Sequence, residues 1–172
     1  PVAEYQHGAI SRGHDAYNVA DALLANTTFH KVLPDYLLTY GNWWSKQTNL
    51  PIKKIAIGNP HLTESISGIM RHSIPRNKVL ILGDGIETDL YLELASRCYS
   101  FVENQGLSVV FRPHPLERDR VRTMKLPRGV TLDGQPNIYP SFMESRVVIS
   151  ELSTGLFEAV GLSDVVLLWE TE

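Results

Sequence analysis

Several short stretches of this chain set donor, acceptor or titratable side chains beside turn formers. Phe111-Arg112-Pro113-His114-Pro115 holds a guanidinium and an imidazole among two prolines. Proline locks its own φ, so the turn is stiff and both groups are presented rigidly. A guanidinium is a planar fork of donors suited to phosphate, and His114 can add another hydrogen bond. That pairing suits a diphosphate leaving group; the plain alternative is a turn with a solvent-facing arginine. Glu4-Tyr5-Gln6-His7-Gly8 is the second stretch, followed by Ser11-Arg12-Gly13-His14 and Tyr17. Histidine titrates near neutral pH, so His7 can take a proton from an attacking hydroxyl, and Gly8 lets backbone approach a ligand. His7 and His14 can also bind a metal, although no third ligand stands nearby. The plain alternative is a loop histidine held by hydrogen bonds.

The third stretch runs Ser150-Glu151-Leu152-Ser153-Thr154-Gly155-Leu156-Phe157-Glu158. It reads as strand, hydroxyl-bearing turn and helix. A helix start exposes unpaired N–H groups and binds phosphate well. Ser150, Ser153, Thr154 and Gly155 would supply hydroxyls and close backbone approach. Glu158 could accept hydrogen bonds from ribose hydroxyls. The competing explanation is ordinary capping by Ser153, with Glu158 favouring the helix start. Leu82-Gly83-Asp84-Gly85 is a weaker candidate, because two glycines after a strand fall short of the dinucleotide fingerprint. Residues 116–128 mix Arg118, Arg120, Arg122, Lys125 and Arg128 with Glu117 and Asp119; the run could meet an anionic polymer or membrane surface, but with acids partly cancelling it reads as a solvated face.

The elements that must carry these stretches alternate. Apolar strands are expected at residues 2–6, 36–40, 54–57, 79–82, 108–111, 130–132, 147–149 and 165–168. Several are continuous β-branched or leucine runs, as a strand buried on both faces requires. The clearest helix follows Gly85, with Leu90, Tyr91, Leu94, Ala95, Cys98, Phe101 and Val102 at three- and four-residue steps. Asp84 and Glu87 read as its capping pair and Gly106 as its C-terminal cap. Shorter helices are expected at 42–48, 63–71, 138–144 and 153–160. Residues 8–28 read as a long loop, with or without a short helix. The fold class is therefore α/β: a Rossmann-like, mostly parallel sheet with helices on both faces. Three of the four main stretches then sit just after strands, where open α/β sheets bind ligands.

Composition sets the outer bounds. In 172 residues, 43% are hydrophobic and 20% charged, the balance of a globular chain with a core. Sixteen basic against nineteen acidic residues leave a net charge of -3, which argues against a protein that binds nucleic acid through a broad basic surface. The single cysteine, Cys98, excludes an internal disulfide and a multi-cysteine zinc site. It falls on the buried helical stripe and reads as a small core residue. No apolar run is long enough to cross a bilayer. No signal peptide and no nucleoside-triphosphatase loop are visible. His30, His61 and His72 receive no role. Of the adjacent Trp43 and Trp44, one is expected in the core and the other at a domain interface. Strand-like residues at both ends lead us to expect a piece of a longer polypeptide.

Taken together, the stretches resemble the two-domain GT-B glycosyltransferases that build bacterial surface polysaccharides. Gln6-His7-Gly8 resembles the histidine-glycine motif closing the acceptor-side domain. Arg112-Pro113-His114-Pro115 is similar to the histidine-proline motif of bacterial sialyltransferases, Kdo transferases and CDP-glycerol glycerophosphotransferases. Ser150 through Glu158 resembles their serine-rich donor motif and the glutamate-alanine helix of the wider group. The serines here are spaced rather than consecutive, so the nucleotide stays open. The resemblance implies that residues 1–30 end the acceptor-side domain and linker, and that residues 31–172 form a nucleotide-donor-binding Rossmann-like domain. It implies His7 as the catalytic base. Arg112, His114, Ser150, Ser153, Thr154, Gly155 and Glu158 would hold nucleotide and phosphate; Gly8, His14, Gly83, Asp84 and Gly85 are secondary candidates. No metal and no cofactor are implied beyond a nucleotide-activated sugar as substrate. The implied partners are that donor and a glycan or lipid-linked acceptor, with no nucleic acid. The implied location is cytoplasmic, at the inner face of the plasma membrane where segments outside this chain provide attachment. Two rivals remain at this level: a sugar-nucleotide 2-epimerase-like enzyme, and a module that binds nucleotide or glycan without turnover.

Overall fold

The structure is a computed structural model and describes residues 1–67, 74–151 and 153–170. Leu152, His72 and the second half of the helix expected at 63–71 lie outside the described residues. The chain divides into two compact units, Pro1–Ser65 and Ile66–Glu172.

The first unit is a three-stranded parallel sheet in the order β1-β2-β3, from β1 (Ala3–Tyr5), β2 (Tyr36–Thr39) and β3 (Lys53–Ala56). Short helices connect and follow the strands: α1 (Asp21–Leu24), α2 (Thr27–His30), α3 (Asn42–Ser45) and α4 (Pro60–Ile66). The boundary differs from the one expected after residue 30. The reason is pairing: β1 hydrogen-bonds to β2 and β2 to β3, so residues 36–56 belong with the N-terminal strand. The long loop at 8–28 is anchored by burying Ile10 and Tyr17 with Leu37 and Leu50. Val19, Phe29 and Trp44 pack against that cluster. The loop ends in the α1–α2 pair, and the Asn26 side chain caps α2 by accepting from Thr28 and Phe29 N–H groups.

The second unit is a five-stranded parallel sheet in the order β6-β5-β4-β7-β8. Its elements are β4 (Lys78–Leu82), α5 (Thr88–Val102), β5 (Ser108–Arg112), α6 (Arg118–Thr123), β6 (Val130–Leu132), α7 (Ile138–Met143), β7 (Ser145–Ser150), α8 (Gly155–Ala159) and β8 (Val165–Leu168). A single 3-10 turn, Pro115–Glu117, leads into α6. The chain walks outward from β4 to β6, returns across the sheet, and adds β7 and β8 on the other side of β4. Right-handed crossovers place the connections before and after that reversal on opposite faces. This is the Rossmann-like α/β architecture expected from the alternation of strands and helices. The strand order reverses between β4 and β7, and open α/β sheets bind ligands outside the carboxyl ends of their strands at such a point.

Both faces of this sheet carry apolar side chains. On one, Val79, Ile81, Val109 and Phe111 pack with Tyr91, Leu92, Ala95 and Val102 of α5. On the other, Leu82 and Phe142 approach Gly155. Helix α6 lies inside the charged run expected to be a solvated face. It forms because Val121 is fully buried while Arg122 and Thr123 remain outside.

Candidate functional site

In the second unit, four loops lie at the carboxyl edge of the sheet, those after β4, β5, β6 and β7. The loop after β4 turns through Gly83, Asp84 and Gly85. Gly83 is buried, and a Cβ there would stand 2.9 Å from Phe111 Cζ and closer still to Glu117 Oε1. Its glycine is thus required by packing within the protein. Asp84 Oδ1 accepts from the N–H groups of Ile86 at 2.8 Å and Glu87 at 2.9 Å, so Asp84 organises the turn into α5. Gly85 has φ +87, and a Cβ there would lie 2.9 Å from His114 Nδ1. The His114 imidazole therefore lies directly on the β4 loop.

His114 is half-buried. Its Nδ1 accepts from Leu116 N–H at 3.3 Å, which leaves the Nε2 proton as the donor of the neutral ring. Its own N–H donates to Glu117 Oε1 at 2.8 Å, closing a capping box around the 3-10 turn. Glu117 is 3% exposed. Its other oxygen accepts from the Thr88 hydroxyl at the start of α5, and Arg120 lies 3.6 Å away. One buried carboxylate thus fastens the loops after β4 and β5 together. Sequence reasoning passed over Glu117 as a member of a charged run. The signal was present as His114-x-x-Glu117, the spacing of a capping box.

Arg112 is placed differently from a solvent-facing phosphate clamp. Its Nη1 donates to Asp133 Oδ2 at 2.5 Å and to the Gln135 carbonyl at 3.0 Å. The side chains of this ion pair are 9% and 3% exposed. Asp133 also accepts from Ser141 Oγ at 2.6 Å and from Gln135 N–H at 3.1 Å. Arg112 therefore ties the end of β5 to the loop after β6. Beside it is a pocket of about 440 Å³, lined by Arg112, Arg118, Arg122, Asp133, Gly134 and Gln135 among others. Arg118 and Arg122 of the charged run thus form a wall of the site. Asp133 is a second residue that sequence reasoning missed, since a lone aspartate before glycine reads as a turn.

Around β7 the hydroxyls divide. Ser150 is fully buried and donates to the Leu82 carbonyl at 2.9 Å, latching β7 to β4. Ser153 Oγ accepts from Gly155 N–H at 3.1 Å, a turn bond one residue before the N-cap; the N-cap itself is Thr154, exposed and with no side-chain capping bond, so the capping expected from Ser153 is not what starts this helix. Gly155 is buried, and its Cβ would meet Leu82 Cδ1 at 3.1 Å. Glu158 is half-buried, and its Oε2 accepts from the Tyr139 hydroxyl at 2.6 Å. That bond holds one oxygen of the carboxylate. The Tyr91 hydroxyl is sealed beside Ser150 and the Glu151 backbone, without a hydrogen bond of good geometry. Burial, the largest cause, raises its pKa.

In the first unit, His7 follows β1 with its side chain 77% exposed. Its Nε2 lies 4.0 Å from Glu4 Oε1 and 3.5 Å from the Tyr17 hydroxyl. Tyr17 donates to Glu4 at 3.0 Å and is 3% exposed. Burial first, and then Glu4, push its pKa up to about 12. Tyr17 therefore stays a neutral donor toward the Glu4 side chain. His14 is exposed; its Nδ1 accepts from Ala16 N–H at 3.3 Å and its ring packs edge-on to Tyr17 at 5.0 Å. Gln6 is fully buried. Its Nε2 donates to the Gly8 carbonyl at 2.7 Å and its Oε1 accepts from Tyr40 N–H at 2.9 Å. It sets the path of the chain on either side of His7.

Among the described residues, no group of three histidine, cysteine, aspartate or glutamate side chains is placed to hold a metal ion. Among them, too, no helix is long and apolar enough to cross a membrane.

No protein-family model matches the chain, and no curated protein matches it. Among solved structures it is similar to the wall teichoic acid polymerase TagF, at a TM-score of 0.56 and 14% identity. The likeness covers 96% of this chain and 48% of that one, so this chain spans about half the length of its structural neighbour. At that identity the likeness is one of fold, and it runs through both units.

Proposed function

We propose that this chain carries the donor-binding domain and part of the acceptor-side domain of a GT-B-type transferase making a bacterial cell-surface polymer. The enzyme would move a sugar or a polyol phosphate from a nucleotide-activated donor to an acceptor hydroxyl on a glycan or lipid-linked chain. The observation that carries this reading is His114, fixed by Glu117 against Gly85 at the carboxyl edge of the sheet with its Nε2 proton available. A neutral imidazole held this way is a preorganised donor for the oxygens of a departing diphosphate. The likeness to a teichoic acid polymerase supports the same class of reaction.

The other residues take roles consistent with their surroundings. Arg112 uses Nη1 to brace Asp133 and lines the pocket beside it, where its remaining donors would meet donor phosphate. Glu158, steadied by Tyr139, accepts from ribose hydroxyls through Oε1. Thr154 offers its exposed hydroxyl to phosphate. His7 receives the proton of the acceptor hydroxyl as the acceptor oxygen bonds to the transferred group. The bond from that group to the diphosphate breaks, and its electron pair leaves with the nucleotide. Glu4, 4.0 Å from His7 Nε2, stabilises the imidazolium that results. The reading includes no metal, and with a nucleotide-activated donor it puts the reaction in the cytoplasm, at the inner face of the membrane.

The test is a calorimetric titration of this chain with CMP, CDP, UDP, GDP and ADP. Selective binding of one nucleotide, weakened about tenfold or more in His114→Ala, is the expected result. Equal affinity in His114→Ala, or no binding of any of the five, would remove the donor-site assignment.

A further inference from the structure

We infer that Arg118 and Arg122 of α6, with Arg112, form a pocket for a doubly charged phosphate group, a monoester or a diphosphate. The inference stands on the pocket of about 440 Å³ at the ends of β5 and β6, which His114 does not line. The fold sorts the arginines of α6 by direction. Arg120 turns toward α5, donating to the Thr88 hydroxyl and lying 3.6 Å from Glu117. Arg118 and Arg122, four residues apart, line the pocket instead. Arg118 is half-buried, and among the described residues it makes no hydrogen bond or ion pair. Arg122 meets Asp119 at 3.3 Å, but the two side chains are 70% and 97% exposed, and so exposed a pair is weak.

The balance of charge selects the ligand. Three guanidinium groups line the pocket, and among its described lining residues the only carboxylate is Asp133. That carboxylate is already engaged, with Oδ2 on Arg112 and Ser141 and Oδ1 on the Gln135 N–H. Two positive charges therefore have no anion among the lining residues. Like charges four residues apart on a helix repel, so Arg118 and Arg122 work against α6. A dianion between them removes that repulsion, and their planar forks of N–H donors match phosphate oxygens. A carboxylate brings only one charge, and an uncharged sugar brings none. The pocket is also shaped to stay open: Pro113 and Pro136 stiffen its border, and a Cβ on Gly134 would meet nothing within 4 Å. A phosphate borne by the nucleotide donor and one borne by another molecule present the same chemistry here.

The experiment is calorimetric titration of this chain with pyrophosphate, glycerol 3-phosphate and glucuronate, with urea unfolding in parallel. Both phosphates should bind, and glucuronate should bind about tenfold or more weakly than either. Arg118→Ala should weaken both phosphates by about tenfold or more, and Arg118→Lys should recover only part, because an ammonium lacks the fork. Arg122→Ala should weaken them by a smaller factor, since Arg122 is shared with Asp119. The urea midpoint should not fall in Arg118→Ala or Arg122→Ala, because neither guanidinium holds a buried partner. The source is read by titrating glycerol 3-phosphate into the chain saturated with the nucleotide it binds. Exclusion assigns the pocket to the phosphates of the donor, and undiminished binding assigns it to a phosphate on another molecule. No binding of either phosphate, equal affinity for glucuronate, unchanged affinity in Arg118→Ala, or affinity lost only in step with a lowered midpoint overturns the pocket. The donor reading fails separately, through nucleotide binding that is absent or indifferent to His114→Ala, and phosphate binding through Arg118 would then still stand.

Discussion

Arg112→Ala removes one half of an ion pair whose side chains are 9% and 3% exposed. The residue then has two jobs, and its replacement must show both. Breaking a buried pair usually costs about 3 to 5 kcal/mol, since the surviving charge is left without its partner. Asp133 would keep two hydrogen bonds, from Ser141 Oγ at 2.6 Å and Gln135 N–H at 3.1 Å. These offset part of the loss, so the expected cost is about 3 kcal/mol, or roughly a hundredfold in the folding equilibrium. A domain of this size has only about 5 to 15 kcal/mol in total. Urea unfolding followed by circular dichroism should therefore show a clearly lower midpoint at unchanged slope. Asp133→Ala should cost at least as much, because it leaves a buried guanidinium with only the Gln135 carbonyl. The double variant Arg112→Met with Asp133→Leu should recover most of the loss, since no buried charge remains. A loss below about 1 kcal/mol in Arg112→Ala would mean that the pair behaves as a surface contact, and would refute the reasoning. Any fall in nucleotide affinity of this variant counts as a site effect only if measured well below its unfolding midpoint.

Glu117→Ala should destabilise the chain by about 2 kcal/mol, because the His114 N–H and the Thr88 hydroxyl both lose an acceptor. Nucleotide affinity should fall with it in calorimetry, while Glu117→Gln keeps part of both. Gly83→Ala should cost about 2 kcal/mol in the same urea assay, because its Cβ would meet Phe111 Cζ at 2.9 Å. Tyr17 should titrate late, at about pH 12 by absorbance at 295 nm, and Glu4→Gln should bring it down. The sign follows from linkage. The folded-state pKa lies above the unfolded value of 10, so the contribution of Tyr17 to stability is intact below pH 10 and lost as pH rises toward 12. Cys98, raised by burial, should react slowly with a disulfide reagent near pH 8 and much faster in denaturant.

Much of the scaffold was legible in residue order alone. All eight expected strands are present, with ends that move by at most two residues. Val79 to Leu82 could hardly be anything but a buried strand, and the stripe from Leu90 to Val102 is a helix by periodicity. These signals are local, since they need only the side chains of one segment. Proline placement made the turn at 113–115 legible in the same way, and the glycine pair at 83 and 85 marked the tight turn after β4.

Pairing and partnership were decided elsewhere. Nothing in residues 36–56 says that they belong with β1, since parallel register depends on strands far apart in sequence. A hydroxyl at the end of a strand suits a phosphate, yet the fold gives that of Ser150 to the Leu82 carbonyl, 68 residues away. In residue order Arg112 is a free fork, because the anion it pairs with, Asp133, lies 21 positions downstream. Glu117 looked like one charge among several until the fold sealed it between two loops. The sequence alone determined which elements form and which residue types reach the carboxyl edge, because strands and turns follow from local propensity and pattern. Only the tertiary structure decided which of those side chains hold each other and which keep a donor or acceptor for a ligand, because burial and long-range hydrogen bonds exist only once the chain is folded.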